Sequence, residues 1–555
     1  MMRRRINLSD RIKVTVVTEN DEKSNNRIDQ QDGSHISYPV IVTHDSSVTL
    51  MSTLLKNGLI SGSFCGGRGD CGRCRVQFLQ GVTVPTVLER SVLEPEELRQ
   101  GYRLACLARP KGDCVIRLAL ENEVWVPIVS EMIDLSADND LASQQEESTE
   151  NRKTHDIQEE RYVVAVDLGT TTIAMQLRNL TDGKVVDTYC EMNPQRSYGA
   201  DVLSRIHASC EGHRDALKQM VWDVLGRGIS KFAGILHNLY MKNHVAEDRI
   251  TCDIEKIEGM CIAGNTTMEH LLLGYDVSSL GVSPFTPVET GLQEIRHSAW
   301  EFPIYIAPGI STFVGGDVVA GLYMLGMLET EQSGPESEDT RKMKEDSHPV
   351  ELLIDLGTNG EMAITDGSRM IVTATAAGPA FEGGAGAQII GTDMIAVTAD
   401  LLEKGILDET GLLADPYFET GVIVSGQQGS FTIENKDIRN LQLAKAAVRA
   451  GVESLWKALG TPAIDRVYLA GGFGYYLDVE AAFRIGLLPE SLRGKVQAVG
   501  NTSLAGACRL ARDLCNGTCN KKSLGEALRT AESMNLAKQD DFEKLYIRHM
   551  NLSPS

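Results

Sequence analysis

Four cysteines are spaced as ligands. Cys65, Cys71 and Cys74 are separated by five and two residues, and Cys106 follows after thirty-one more. Glycines at 66, 67, 69 and 72 lie between the first three, so this stretch can fold around a small inorganic core while the fourth thiolate arrives from a distant turn. Iron–sulfur chemistry is the favoured reading. Structural zinc is the alternative, but it usually wants two short C-x-x-C knuckles, and only Cys71 and Cys74 form one. The other eight of the twelve cysteines, Cys114 included, lack sequence partners and read as buried small apolar residues.

A second chemistry is written twice. Asp167-Leu168-Gly169-Thr170-Thr171-Thr172 follows the apolar run Val163 to Val166, and Asp355-Leu356-Gly357-Thr358-Asn359-Gly360-Glu361 follows Leu352 to Ile354. An acid at a strand end, then glycine and hydroxyls in a tight turn, can present N–H groups and hydroxyls to phosphates while the carboxylate faces a hydrated Mg²⁺. One copy is weak evidence, because such turns are common; two copies suggest two β-hairpins clamping one triphosphate. Further on, Leu469-Ala470-Gly471-Gly472-Phe473-Gly474 ends a third strand with glycines that allow a planar ring close approach, or make a plain strand-to-helix turn. Two more stretches, Ile262 to Met268 and Ala376 to Gly384, read as loops lining a cleft or a partner surface, or as simple turns.

The elements that must hold the cysteines are short. Alternation or β-branched runs predict strands at 11–18, 38–43, 75–79 and 114–120, with helices over 49–57 and 94–100. Residues 62–74 form the glycine- and cysteine-rich loop. Residues from about 136 to 160 are Asp, Glu, Asn, Gln and Ser with few apolar positions, too polar to offset ordering entropy, and read as a flexible tether. The expected organisation is a cysteine-bearing α+β domain at 1–125, a polar linker at 126–160, and a first half-core at 161–328. A polar insertion at 329–349, a second half-core at 350–520 and a helical extension at 521–555 complete it.

Composition narrows the partners. Lys plus Arg is 54 against 76 Asp plus Glu, a net charge of −22 over 555 residues, so a phosphate-tracking nucleic-acid binder is excluded. No run of eighteen uncharged apolar residues occurs, and the basic start Met1 to Arg5 lacks an apolar signal region. The expectation is a cytoplasmic protein without membrane partners.

The segment from Phe64 to Cys74, followed by Gly101-Tyr102-Arg103-Leu104-Ala105-Cys106, resembles [2Fe–2S] ferredoxins of the β-grasp fold. Residues from about 161 to 510 resemble the superfamily of acetate and sugar kinases, heat-shock chaperone ATPases and actin, with a duplicated ribonuclease-H-like α/β core. In that resemblance Asp167 and Asp355 open the phosphate-1 and phosphate-2 segments, Gly169, Thr170, Thr171, Gly357, Thr358, Asn359 and Gly360 cradle phosphates, and Gly471, Gly472 and Gly474 lie on the adenosine side. The segments from Gly315 to Gly321 and from Gly500 to Ala507 fall at its two connecting helices, where small residues let the helices cross closely. Asp317 then corresponds to the general base of sugar kinases, with a helix N-cap as the bland reading.

The two resemblances in one chain point to the reductive activators of corrinoid proteins. One departure is that the polar linker runs almost directly into the first phosphate loop, where some relatives carry a small extra domain. The resemblance implies ATP-dependent one-electron transfer from a cluster on Cys65, Cys71, Cys74 and Cys106 to inactive Co(II), giving Co(I). Its implied cofactors are a [2Fe–2S] cluster, ATP and Mg²⁺. Its implied partners are a corrinoid protein of a methyltransferase system and a low-potential electron donor, and a homodimer is compatible with it. Two other classes stay open: a small-molecule kinase with a redox-sensing ferredoxin domain, and a nucleotide-switched interaction protein.

Overall fold

The computed structural model describes residues 11–18, 39–46, 48–57, 59, 74–118, 160–199, 201–243, 254–328, 348–357, 359–377, 391–426, 429–471, 474 and 477–554. The linker and the polar insertion expected from the sequence lie outside the described residues except at their edges, as do Cys65, Cys71, Thr358 and Gly472. The chain divides into two compact units, the first made of Met1–Pro127 and Met192–Asp223 and the second of Ile128–Glu191 and Val224–Ser555.

In the first unit, strands β1 (Arg11–Thr18), β2 (Val40–Asp45), β3 (Arg75–Gln80), β4 (Tyr102–Leu104) and β5 (Cys114–Leu118) form one sheet in the order β2-β1-β5-β3-β4. The alternation in β1 does what period two requires: Ile12, Val14 and Val16 turn into the core while Lys13 faces out. Helix α1 (Leu50–Lys56) covers that face with Leu50, Met51 and Leu54. The second strand begins two residues later than its sequence suggests, and the helix expected over 94–100 spans Pro95–Arg99. A helix that the sequence reading missed, α2 (Val87–Val92), is set by a Thr86/Glu89 capping box.

The second unit is built on two sheets of one plan. Strands β6 (Tyr162–Leu168), β7 (Thr172–Asn179), β8 (Val185–Met192), β9 (Ile257–Gly264), β10 (Gln293–His297) and β11 (Trp300–Ile306) pair in the order β10-β11-β9-β6-β7-β8. The second sheet comprises β12 (Glu351–Leu356), β13 (Gly360–Thr365), β14 (Met370–Thr375), β17 (Arg466–Ala470), β18 (Val496–Gly500) and β19 (Glu532–Ser533), in the order β18-β17-β12-β13-β14-β19. A separate hairpin, β15 (Val422–Gly426) with β16 (Gly429–Ile433), stands apart from both. In each sheet the leading strand makes an antiparallel hairpin with the next strand and a parallel pair on its other side, β6 with β7 and β9, β12 with β13 and β17. The duplication read from the two acid–glycine motifs is thus a duplication of topology. β6 is buried at nearly every position, as a central strand covered on both faces must be.

The helices that matter for the site are α3 (Thr266–Leu273), α4 (Gly316–Leu325), α5 (Asn435–Ala458) and α6 (Thr502–Cys515). In α6, Leu504, Ala507, Cys508, Ala511 and Leu514 recur at helical spacing and are buried against α4, β6 and β9. α4 and α6 cross at the small residues noted in the sequence. A Cβ on Gly506 would lie 1.9 Å from the Ala320 carbonyl oxygen, and one on Gly321 would lie 2.8 Å from Thr502 Oγ1. Alanine at 506 gains about 1 kcal/mol of helix propensity. The clash is with backbone, so the helices must part, and overpacking of this kind costs about 1–3 kcal/mol. Gly506→Ala should therefore lower the denaturant midpoint, contrary to propensity; a raised midpoint would show that the crossing is loose.

Candidate functional site

Cys74 immediately precedes β3 and Cys106 lies in the turn after β4, and their Sγ atoms are 3.3 Å apart. The frame that brings them together is backbone. The Ala105 N–H donates to the Cys74 carbonyl (2.8 Å), the Met51 N–H to the Ala105 carbonyl (2.9 Å), and the Leu50 N–H to the Ala108 carbonyl (2.8 Å). Buried Glu89 joins the two sides, its carboxylate accepting from the Thr86 N–H at 2.7 Å and the Leu104 N–H at 2.9 Å. The neighbouring Cys106 thiol brings Cys74 down to about 7 despite burial, so Cys74 is poised to be thiolate. Burial instead pushes Cys114 up to about 11, and that thiol is inert packing. Of the other cysteines, expected to be mostly buried small apolar residues, Cys261 and Cys508 are also buried, Cys190, Cys515 and Cys519 are half-buried, Cys210 is exposed on a helix surface, and Cys252 lies outside the described residues.

In the second unit the two hairpin turns carry the predicted phosphate residues. Gly169, Thr170 and Thr171 form the β6–β7 turn; Gly357, Asn359 and the first residue of β13, Gly360, form the β12–β13 turn, closed by the Gly357 N–H donating to the Asn359 carbonyl at 2.9 Å. Gly471 and Gly474 follow β17. Gly471 has φ +89°, and a Cβ there would lie 2.6 Å from Asp355 Oδ1, so glycine is required both by conformation and by the acid beside it.

Five carboxyl groups share the space between the turns. Burial raises Asp355 to about 7, with Asp317 and Asp167 adding to the effect. Burial likewise raises Asp317 to about 7; the Val318 N–H, 2.9 Å from its Oδ1, opposes this, and Asp167 adds to it. Asp167 is raised by burial and held down by hydrogen bonds from Asn501 and Ser503. Glu269 and Glu361 stand well above the usual carboxylate range, again through burial first and then through Asp317, with Asp355 also acting on Glu361. Asp317 is not a helix N-cap: that place is taken by Gly315, and Asp317 lies in the first turn of α4.

Several residues here were not singled out as functional in the sequence. Asn265 caps α3, its Oδ1 accepting from the Met268 N–H at 3.0 Å, and its Nδ2 donates to Thr170 Oγ1 at 3.0 Å. The stretch from Ile262 to Met268, expected as a loop, is instead the end of β9 and the start of α3, and its cap Asn265 touches the first phosphate turn; the stretch from Ala376 to Gly384 lies outside the described residues beyond Ala377. Glu269 accepts from the Gly264 N–H at 3.1 Å. Asn501 and Ser503, at the start of α6, donate to Asp167 at 2.8 and 2.9 Å. The only sequence signal for these was an Asn after a strand glycine, which is equally the signature of an ordinary cap.

These features define a ferredoxin-type domain joined to a nucleotide-binding core with two phosphate hairpins. Comparison with known proteins agrees. The 2Fe-2S iron-sulfur cluster binding domain matches residues 34–111, the RACo middle region matches 162–330, and the C-terminal domain of RACo, the ASKHA domain, matches 349–388 and 385–555. The chain belongs to the RACo family. It is 27% identical over 406 residues to the corrinoid activation enzyme RamQ of Eubacterium limosum, which covers 62% of this chain and 63% of RamQ. It is 24% identical over 458 residues to the [Co(II) methylated amine-specific corrinoid protein] reductase of Methanosarcina barkeri, covering 70% of this chain and 76% of the relative. The solved structure of a reductive activator for a corrinoid iron-sulfur protein shares the fold, with a TM-score of 0.56, 24% identity and 98% of each chain covered.

The cofactors that follow are a [2Fe–2S] cluster for the first domain and ATP with Mg²⁺ for the second. The residues present fit both. Two thiols converge in the cluster domain, and an all-thiol donor set suits iron–sulfur ligation. Carboxyls raised first by burial, and for Asp317 and Asp355 also by neighbouring carboxylates, are relieved by a divalent cation. Among the described residues no group of three or more carboxyl, imidazole or thiol side chains stands close enough to hold an ion. No described helix is long and apolar enough to cross a membrane.

Proposed function

We propose that this chain restores a corrinoid protein to its active state, coupling ATP hydrolysis to one-electron reduction of Co(II) to Co(I). The observation that carries the reading is the pairing, in one polypeptide, of the converging Cys74 and Cys106 thiols with two duplicated hairpins whose acids Asp167 and Asp355 are buried with Asp317. Cys65 and Cys71 complete the ligand set with Cys74 and Cys106. Bound there, the cluster supplies single electrons at a potential near −400 mV for plant-type centres. Bound MgATP would have its metal-bearing phosphates held by Asp167 and Asp355 and by the turn residues Gly169, Thr170, Thr171, Gly357, Thr358, Asn359 and Gly360, with Gly471, Gly472 and Gly474 on the adenine side. Asp317, raised to about 7, is suited to orient a water molecule and take its proton.

The energetics are in range. A shortfall on the order of 100 mV for one electron is about 2.3 kcal/mol, at 59 mV per tenfold. Coupling between sites typically supplies about 1–3 kcal/mol, so a nucleotide-dependent change in how the corrinoid partner is held can offset it. Anaerobically purified protein, reduced by an external low-potential donor, should convert Co(II) to Co(I) in a corrinoid protein only when MgATP is present, followed by cobalt absorbance. A stoichiometric phosphorylated acceptor without cobalt reduction would make it a kinase instead. ATP turnover that alters only partner binding would make it a nucleotide-switched adaptor.

A further inference from the structure

β18 belongs to the second sheet, yet the helix it feeds, α6, lies against β6 and β9 of the first. Two side chains just past that strand reach back to the acid of the first phosphate turn. Asn501 Nδ2 donates to Asp167 Oδ2 at 2.8 Å, and Ser503 Oγ donates to Asp167 Oδ1 at 2.9 Å. Each oxygen of Asp167 thus accepts from a residue that enters from the other half of the core. We propose that Asn501 and Ser503 are positioning residues for ATP hydrolysis, fixing the Asp167 carboxylate and making its placement follow the second sheet. The inference rests on the reading of this cleft as one that hydrolyses ATP.

The route between the two acids is short and runs through paired strands. Asp355 pairs with Ala470 in the β12–β17 ladder, and Ala470 pairs with Gly500 in the β17–β18 ladder, after a register shift at Leu469/Ala470. Asn501 is the next residue, and its amide holds Asp167. Two ladder positions and one side-chain hydrogen bond therefore connect the phosphate-2 acid to the phosphate-1 acid. When nucleotide draws the second sheet, Asn501 moves with Gly500, and Asp167 is carried to or from its working position.

Capping alone does not explain Asn501. Its Oδ1 accepts from the Leu504 N–H at 2.9 Å, which is the whole of the capping function, and that leaves the amide nitrogen for Asp167. Asn, Asp and Ser cap helices about equally, so a residue kept only as a cap tolerates all three. Asn501→Ser keeps a cap oxygen and removes the donor; Asn501→Asp keeps the cap and sets a carboxylate against Asp167.

The experiment compares steady-state ATP hydrolysis by the full chain and by Asn501→Ser, Asn501→Asp, Ser503→Ala and Ser503→Thr, with melting temperature and visible absorbance as checks on folding. Losing a hydrogen bond to a charged acceptor should lower kcat about tenfold in Asn501→Ser and Ser503→Ala, with KM for MgATP within about twofold. Asn501→Asp should lose about a hundredfold, and Ser503→Thr, which restores the hydroxyl, should return to within about twofold of the unsubstituted chain. Unchanged kcat in Asn501→Asp and Ser503→Ala, or a loss carried by KM alone, overturns the assignment and leaves the cleft reading standing. No ATP turnover in the unsubstituted chain overturns both.

Discussion

Asp355→Asn should abolish ATP hydrolysis while leaving the visible spectrum of the ferredoxin domain unchanged and making the nucleotide-free protein more stable at alkaline pH. The three outcomes have one cause. Asp355 is the penultimate residue of β12, just before the backbone turns into the phosphate hairpin, against a glycine that leaves its oxygen room. Asparagine has the same shape, so the packing stands. What changes is charge: without a carboxylate facing the metal-bearing phosphates, the loss of transition-state stabilisation should be about a hundredfold or more in kcat. Stability moves the other way. The carboxyl is raised to about 7 by burial and by Asp317 and Asp167, against an ordinary 3.8. Between those values the folded chain holds a proton that the unfolded chain has released, so stability falls as pH rises through that window and stays low above it. Asparagine removes this penalty, and the melting temperature of the nucleotide-free variant should exceed that of the parent at pH 8 and converge with it near pH 4. Normal turnover by Asp355→Asn would end the two-hairpin clamp as an account of the cleft.

That an acid helpful to turnover is costly to the empty fold is a general feature of sites built for a cation and a polyphosphate. Here it is spread over Asp167, Asp317, Asp355, Glu269 and Glu361, of which the sequence motifs exposed only the three aspartates as acids of the site. Glu361 sits inside a quoted motif but has no spacing of its own to mark it. Glu269 lies four residues past a cap asparagine on α3, and nothing local distinguishes it from a surface glutamate. Its burial comes from the approach of α4, whose start packs so closely that a Cβ on Gly316 would lie 2.3 Å from Glu269 Oε1.

What could be read in advance was whatever is local or repeated. The strand–acid–glycine pattern announced itself by occurring twice, and the cysteine spacing by its density. The Thr86 and Glu89 pair was equally local, a capping box three residues apart, and was overlooked because its helix is only six residues long. The ties from Asn265 to Thr170 and from Asn501 to Asp167 were beyond reach for a different reason: they join residues 95 and 334 positions apart, through side chains whose types are already explained by capping. A residue with two roles shows only the commoner one in sequence.

Cys106→Ser should remove the cluster altogether and with it all cobalt reduction, while ATP hydrolysis by the cleft persists. The backbone around Cys106 is fixed without the metal: Ala105 bonds to Cys74, Met51 to Ala105 and Leu104 to Glu89, so serine can occupy the same turn without unfolding it. The loss is therefore chemical. Cys74 owes its lowered position, about 7, first to the thiol of Cys106 at 3.3 Å, and an alcohol in that place neither shares the proton comparably nor binds iron as a soft thiolate does. Iron content after anaerobic purification should fall from about two atoms per chain to well below one, and the visible absorbance should bleach. Cys114→Ser is the matched control. That thiol is also buried in the same domain, but burial holds it near 11, and it packs in the core strand β5, where a hydroxyl costs some stability and no iron. The two serines separate a ligand from a packing residue within one small sheet. Stoichiometric zinc in the parent chain, or an intact cluster in Cys106→Ser, would mean that the 3.3 Å thiol pair serves something other than electron transfer.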